Sequence, residues 1–122
     1  MTTKSILTVE DSNSMRQMIG YILRSAGYNV VEAEDGSKGL AQAQSGKFDL
    51  VVTDQNMPNM DGLSLIKALR QLPDYKSTPV IMLTTEASDT MKQRGREAGA
   101  TGWMVKPFDP NRLLEICQKL LS

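Results

Sequence analysis

The residues of this sequence that could do chemistry each follow a short apolar run. They are Glu10 and Asp11 after Ile6–Val9, Asp54 after Leu50–Thr53, Thr84 after Val80–Leu83, and Lys106 after Trp103–Val105. A short apolar run bounded by turn-forming residues is typical of a buried strand. Open parallel sheets bind ligands outside the carboxyl ends of their strands. The pattern therefore predicts that three carboxylates, a hydroxyl and a lysine meet at one sheet edge, as a small metal and phosphate site.

The types of these residues indicate which ligands such a site would take. Glu10, Asp11 and Asp54 would crowd three negative charges into one crevice, and a bound cation would relieve that repulsion. Oxygen ligands without histidine or cysteine favour Mg²⁺, with Mn²⁺ as a substitute. Lys106 supplies a compact positive charge for a phosphoryl group, and the Thr84 hydroxyl can donate a hydrogen bond. Asp54 is either a metal ligand only or also a phosphate-accepting nucleophile, and its central position favours the nucleophile.

Each of these residues has a plainer explanation when it is considered alone. An acidic pair such as Glu10-Asp11 often complements a helix N-terminus, Lys106 could be a solvated lysine, and Thr84 could belong to a turn. Four such features at four strand ends are hard to attribute to chance. The combination therefore favours a functional site.

The composition excludes several classes of function. The 122 residues include no histidine, which removes Ser-His-Asp and Cys-His catalysis and imidazole metal sites. Any phosphohistidine donor must therefore be another molecule. Lys plus Arg and Asp plus Glu number 14 each, so the chain lacks the excess positive charge expected of a protein that binds nucleic acid or anionic membranes.

No targeting or membrane segment is expected from the sequence. The N-terminus leads directly into a predicted strand rather than a signal peptide, and no apolar run approaches the roughly 20 residues that span a bilayer. We therefore expect a cytoplasmic protein. Cys117 is the single cysteine, and it lies on the apolar side of the predicted last helix. That position favours an inert buried thiol over a reactive one.

Hydrophobic periodicity predicts five alternating strands and helices. After the first strand we expect an amphipathic helix closed by Gly27, a strand from Tyr28 to Ala33 and a helix from about Asp35 to Gly46. A strand from about Asp49 to Asp54 and a helix capped by Asp61 follow. The last elements are a strand from Val80, a helix from about Ser88 to Ala98, a strand from Trp103 and a helix that begins with Asp109-Pro110. The helix from Ser88 to Ala98 has little apolar surface, and Gly95 weakens it further. It is either a moving or binding element or an ordinary solvated helix.

Strands that alternate with helices imply a parallel sheet covered on both faces. We therefore predict one α/β domain over residues 1–122, a flavodoxin-like doubly wound (βα)5 sandwich. Its five-stranded parallel sheet would have the order 2-1-3-4-5, which is the known order for such folds and is not deduced from the spacing.

The motifs at the strand ends resemble those of a known family. They are Val9-Glu10-Asp11-Ser12, Asp54-Gln55-Asn56-Met57-Pro58-Asn59-Met60-Asp61-Gly62, Leu83-Thr84-Thr85-Glu86 and Lys106-Pro107-Phe108. Together they resemble a two-component response-regulator receiver domain, specifically the single-domain chemotaxis (CheY-like) type. The resemblance implies that Asp54 is the phosphoacceptor. It also implies a Mg²⁺ site formed by Asp11, the Asp54 carboxylate and the Asn56 backbone carbonyl, with Glu10 assisting directly or through water.

The resemblance further implies a switch. Thr84 and Lys106 would contact the phosphoryl group, and the Lys106-Pro107 peptide bond would be cis. On phosphorylation Thr84 would move toward the phosphoryl group, Trp103 would turn inward, and the surface of helix 4, strand 5 and helix 5 would change. Trp103 replaces the usual Tyr or Phe, so it could instead stay packed beneath helix 4. Thr85 replaces the usual Ala or Gly and could narrow access to Asp54.

The resemblance also implies the partners of this protein. The phosphodonor would be a histidine kinase, and the output would be protein–protein contact with a flagellar motor switch protein, with a phosphatase as a further partner and a monomeric state. The implied catalysis is limited to self-catalysed phosphotransfer and autodephosphorylation. Alternatives are a phosphate sink or other chemosensory receiver, a receiver that docks without phosphate, and a Mg²⁺-dependent aspartyl-phosphate hydrolase. The hydrolase is disfavoured because such enzymes usually have a second acid where this chain has Asn56.

Overall fold

The computed structural model describes residues 3–122. The elements are β1 (Ser5–Val9), α1 (Asn13–Ser25), β2 (Asn29–Ala33), α2 (Gly36–Ser45), β3 (Leu50–Asp54), α3 (Gly62–Gln71), a 3-10 helix (Pro73–Tyr75), β4 (Val80–Thr84), α4 (Asp89–Ala98), β5 (Gly102–Val105) and α5 (Pro110–Leu121). Strands and helices alternate as the sequence predicts, and the predicted boundaries differ by one or two residues. The sequence pattern does not predict the 3-10 helix.

The strands form one parallel sheet in the order β2-β1-β3-β4-β5, which confirms the predicted fold class. The register places the carboxyl ends side by side: Val9 is opposite Thr53, Asp54 is opposite Leu83, and Thr84 is opposite Val105. The loops that follow β1, β3, β4 and β5 therefore begin at the same edge of the sheet.

Helices cover both faces of the sheet because the strands are apolar on both sides. Every residue of β3 and of β4 is buried. One core cluster joins the sheet to α2, α3 and α4, and the other joins it to α1 and α5. Cys117 lies fully buried in the second cluster, and burial raises the pKa of its thiol to about 11. The prediction of a buried thiol is confirmed.

Side-chain caps fix where the helices begin. Each of the five helices starts after a residue whose side chain accepts a hydrogen bond from a backbone amide of the first turn: Ser12, Asp35, Asp61, Ser88 and Asp109. Such caps satisfy amides that have no partner within the helix. All five caps lie at the same sheet edge as the candidate site, since each follows the carboxyl end of a parallel strand.

Helix α4 buries little of its surface, as the sequence predicts. Only Met91, Gly95 and Ala98 of this helix are buried. A Cβ atom at position 95 would lie 3.2 Å from Met82 Cε, so the glycine lets α4 approach β4 closely. Among residues 3–122, no helix has the length and apolar character needed to cross a membrane.

Candidate functional site

Three carboxylates converge at the carboxyl edge of the sheet. Glu10 and Asp11 follow β1, and Asp54 is the last residue of β3, the strand that pairs with β1. Each side chain offers one ligand atom, and these atoms lie within 4.8 Å of one another. Glu10 and Asp54 are buried, whereas Asp11 is exposed. The structure thus brings together the acids that the sequence assigned to one crevice.

Lys106 lies between two of these acids. Its backbone amide donates to the Thr84 carbonyl oxygen at 2.8 Å, which continues the pairing of β5 with β4. Its Nζ lies 2.7 Å from Glu10 Oε1 and 2.9 Å from Asp54 Oδ1. The Lys106-Pro107 peptide bond is cis, as the resemblance implies. A single ammonium group therefore contacts both buried carboxylates.

The electrostatic balance of this cluster favours a bound cation. Burial raises the pKa of Glu10, although hydrogen bonds from Lys106 and the Ser12 amide oppose the change. Burial also acts to lower the pKa of Lys106, but hydrogen bonds to Glu10 and Asp54 outweigh it and raise that pKa. The lysine is therefore protonated. Three acidic side chains share one ammonium group, so the cluster has more acidic oxygen donors than its own cation can balance, which suits a divalent cation.

Thr84 is the first member of a hydrogen-bonded chain that reaches α4. Its side chain is buried, and Thr84 Oγ1 accepts a hydrogen bond from the Glu86 amide at 3.0 Å. Ser88 Oγ in turn donates to Glu86 Oε2 at 2.8 Å. The same Ser88 oxygen accepts from the Met91 amide at 3.1 Å and so caps α4. A displacement of the Thr84 hydroxyl would therefore alter the hydrogen bonds at the first turn of α4.

The loop after β3 contains a buried structural residue whose role the sequence pattern does not predict. Gln55 is buried, and its Oε1 accepts a hydrogen bond from the Leu63 amide at 2.8 Å. Its backbone carbonyl accepts from the Gly62 amide at 2.9 Å. A Cβ at position 62 would lie 2.5 Å from the Asp54 carbonyl oxygen, so only glycine fits there. The glycine after a predicted N-cap was the available signal. Asn56 begins the exposed part of this loop.

Trp103 is half-buried beneath α4. Its ring packs against the core cluster of α2, α3 and α4. The Lys92 Nζ lies 5.9 Å and the Arg96 Cζ 5.7 Å from the ring centroid. Cation–π contacts of this kind are attractive. The spacing of the two cations, four residues apart on one helix, was the signal that sequence reasoning passed over.

Thr85 follows directly after the buried Thr84, and its own side chain is exposed. Its predicted effect on access to Asp54 and the predicted movement of Trp103 both remain predictions.

Comparison with known proteins gives a consistent result. The family model of the response regulator receiver domain matches residues 6–118. A chemotaxis protein CheY from Pseudomonas aeruginosa is 41% identical over 118 residues, which cover 96% of this chain and 95% of that protein. The crystal structure of the chemotaxis protein CheY4 from Vibrio cholerae has a TM-score of 0.95 at 48% identity and covers 98% of this chain and 100% of that one.

A more distant structure carries a metal ion. The receiver domain of a sensor histidine kinase from Pseudomonas aeruginosa is described with a magnesium ion coordinated in its active-site cleft. Its TM-score is 0.91 at 29% identity, and the match covers 98% of each chain.

Proposed function

Because the chain belongs to the response regulator receiver domain family, we propose that it is a single-domain, chemotaxis-type response regulator. In this proposal the protein changes state when Asp54 accepts a phosphoryl group. Receiver domains act in two-component signalling and are not enzymes in the usual sense. The catalysis that we propose is limited to phosphotransfer onto Asp54 and autodephosphorylation. We assign the receiver domain to residues 1–122 and its location to the cytoplasm.

One observation carries the proposal: the Lys106 ammonium contacts Asp54 Oδ1 within a cluster of three carboxylates. In the proposed transfer a carboxylate oxygen of Asp54 attacks the phosphorus of a phosphohistidine on the partner kinase. The new P–O bond forms as the P–N bond breaks, and the imidazole leaves. Lys106 stabilises negative charge on the phosphoryl oxygens, and the Thr84 hydroxyl donates to one of them.

The residues present fit a resident Mg²⁺ ion, since the cluster offers three carboxyl groups as oxygen donors and only one ammonium group beside them. We propose that Asp11, Asp54 and the Asn56 carbonyl hold it, with Glu10 assisting directly or through water. When bound, Mg²⁺ supplies positive charge that neutralises the phosphoryl oxygens. Glu10 has a second role in this chain, because its contact with Lys106 keeps the ammonium beside Asp54.

Phosphorylation would be transmitted through Thr84. The phosphoryl group replaces one carboxylate charge by about two negative charges. If the Thr84 side chain rotated to donate to the phosphoryl group, its Oγ1 would move relative to the Glu86 amide that now donates to it at 3.0 Å. Glu86 and Ser88 connect that amide to the cap of α4, so we propose that α4, β5 and α5 form the responsive surface. Coupling of this kind is typically worth about 1–3 kcal/mol.

The family and the chemotaxis relatives support a proposal about the partners. We propose a histidine kinase as phosphodonor, a flagellar motor switch protein as the output partner, a phosphatase as a further partner, and a monomeric state. Capture experiments with the beryllofluoride form and the unmodified form, each with a purified motor switch protein, test the output. Equal capture of both forms would favour a phosphate sink or another chemosensory role.

The phosphoacceptor assignment is tested with acetyl phosphate or beryllium fluoride in the presence of Mg²⁺. We expect a change in Trp103 fluorescence and, with acetyl phosphate, the added mass of one phosphoryl group. Asp54→Asn should abolish both signals, and Lys106→Met should slow phosphorylation while Mg²⁺ still binds. No response in the unmodified protein would contradict the proposal. Steady turnover of a small phosphoester would indicate a hydrolase instead.

A further inference from the structure

The loop between β3 and α3 (residues 55–61, here called the acidic-site loop) is tied to the start of α2. Asn59 Nδ2 donates a hydrogen bond to Asp35 Oδ2 at 3.0 Å, across 24 positions of sequence. The other oxygen of the same carboxylate, Asp35 Oδ1, accepts from the Lys38 amide at 2.8 Å and caps α2. Asp35 is only 5% exposed. One buried carboxylate therefore both starts a helix and holds a distant loop.

The residue that Asp35 holds has an unusual backbone conformation. Asn59 has a positive φ of 69°. The Met60 amide donates to the Pro58 carbonyl oxygen at 2.7 Å, which closes a three-residue γ-turn around Asn59. Strained conformations of this kind persist where the surrounding structure over-determines them. The Asp35 contact is one such constraint.

Close packing supplies a second constraint on the same part of the loop. A Cβ atom at position 36 would lie 2.3 Å from the Met60 carbonyl oxygen, so Gly36 lets α2 and the acidic-site loop touch. At the other side of the loop, Gln55 closes the base through its bonds with Gly62 and Leu63. Asn56 lies between these two fixed points. Its backbone can shift only as far as both of them allow.

We propose that Asp35 is a positioning residue for the metal and phosphoryl site. By holding Asn59, it keeps the acidic-site loop in the conformation in which the Asn56 carbonyl can ligate Mg²⁺ beside Asp54. The proposal rests on the proposed function, because it assumes that this site takes Mg²⁺. It concerns α2, an element that contributes no ligand to the site.

Three substitutions separate the contact from its side effects. Asn59→Gly removes the donor but tolerates the positive φ. Asp35→Ser keeps a capping oxygen for α2 and removes the second oxygen that Asn59 contacts. Asp35→Asn removes the charge but keeps the capping oxygen. Its new amide group can donate to Asn59 once the Asn59 side-chain amide has rotated so that its oxygen accepts the bond. Asp109→Ser is the control, because Asp109 caps α5 by the same kind of bond, and that bond involves no residue of this loop.

Mg²⁺ affinity is measured on the resting protein by isothermal titration calorimetry, and each variant is melted without Mg²⁺. We expect Asn59→Gly and Asp35→Ser each to weaken Mg²⁺ binding about 3- to 10-fold, less than the 10- to 100-fold typical of residues that contact metal ligands directly. The double variant should be no weaker than either single one, because both remove the same bond. Asp35→Asn and Asp109→Ser should stay within about 2-fold of the unmodified protein.

Phosphorylation by acetyl phosphate gives a second measurement. The half-saturating Mg²⁺ concentration should rise in Asn59→Gly and Asp35→Ser, whereas the rate at saturating Mg²⁺ should be retained. Unchanged Mg²⁺ affinity with a lower melting temperature would show that the bond is only structural and would overturn the proposal. The proposal would also be overturned if Asp35→Asn bound Mg²⁺ as weakly as Asp35→Ser, because loss of the negative charge would then explain the weaker binding. If the unmodified protein binds no Mg²⁺, the proposed function itself fails.

Discussion

Arg70 offers the sharpest test of what stabilises the surface that we propose to be responsive. Its guanidinium group donates to the Tyr75 carbonyl at 2.6 Å, to the Thr78 carbonyl at 2.7 Å, and to the Gly99 carbonyl at 2.8 and 3.2 Å. Gly99 is the left-handed C-cap of α4. One side chain of α3 therefore satisfies the carbonyls of two loops and places positive charge at the C-terminus of α4, where the helix dipole favours it.

The expected cost of removing this group follows from its contacts. Each hydrogen bond from a charged donor contributes about 1.5–3 kcal/mol, and Arg70→Met leaves three carbonyls without their partner. Two effects reduce the sum. Burial lowers the pKa of Arg70, which means that the guanidinium loses hydration in the folded state. The carbonyls of Thr78 and Gly99 also belong to half-buried residues, so water can replace part of the loss. We expect Arg70→Met to lower the free energy of unfolding by roughly 2–4 kcal/mol.

Urea denaturation followed by circular dichroism measures this change. Arg70→Lys should lose about half as much, because one ammonium cannot reach three carbonyls at once. Arg94→Met is the control, since Arg94 is an exposed residue of α4, and it should change stability by less than about 0.5 kcal/mol. The reasoning would be refuted if Arg70→Met cost no more than Arg94→Met. It would also be refuted if lysine fully replaced the arginine.

Three further predictions follow from contacts at α4 and in the core. Ser88→Ala removes the cap of α4 and should lower the free energy of unfolding in urea by about 1 kcal/mol. It should also reduce the change in Trp103 fluorescence on beryllofluoride binding without reducing phosphorylation. An undiminished fluorescence change would argue against the hydrogen-bonded route from Thr84 to α4. Replacing both Lys92 and Arg96 by Met removes two cation–π contacts worth about 0.5–1 kcal/mol each, and acrylamide should then quench Trp103 more strongly; unchanged quenching would show that the cations do not restrain the indole. Burial raises the pKa of Cys117 to about 11, whereas the thiol of the unfolded chain ionises near the ordinary value of 9.0. Between these two pH values the unfolded state loses a proton that the folded state keeps. The free energy of unfolding should therefore fall as the pH rises from about 9 to 11. That fall should be shallower in Cys117→Ala, and thiol reagents at pH 8 should label the native thiol only as the chain unfolds.

The sequence predicts the fold and the convergence of the acids because both depend on simple periodic patterns. Apolar runs mark the strands, and any residue that ends a parallel strand lies at the common edge. Glu10, Asp54 and Lys106 therefore meet irrespective of the details of their side chains. The parallel order of the strands came from resemblance to known folds, since spacing alone leaves several orders open.

Contacts that depend on individual loop conformations could not be predicted in the same way. The bond from Asn59 to Asp35 needs a positive φ and a particular placement of α2 against the loop. Arg70 likewise contacts the Gly99 carbonyl 29 positions away and the Tyr75 carbonyl 5 positions away, and the directions of these carbonyls are set by a left-handed cap and a 3-10 turn. No periodic pattern encodes such directions. Asp35 was predicted only as the start of a helix.

The contact between Lys106 and Glu10 joins positions 96 residues apart, at the last strand and the first. During synthesis β1 leaves the ribosome before β5 exists, and pairing over such a long separation is slow because closing a long loop costs entropy. A chain that lacks β5 has Asp54 but not the Lys106 ammonium that completes the proposed phosphoacceptor site. If Asp54 accepts phosphate as we propose, phosphorylation would therefore require that β5 has joined the sheet. Only fully folded molecules would then take part in signalling.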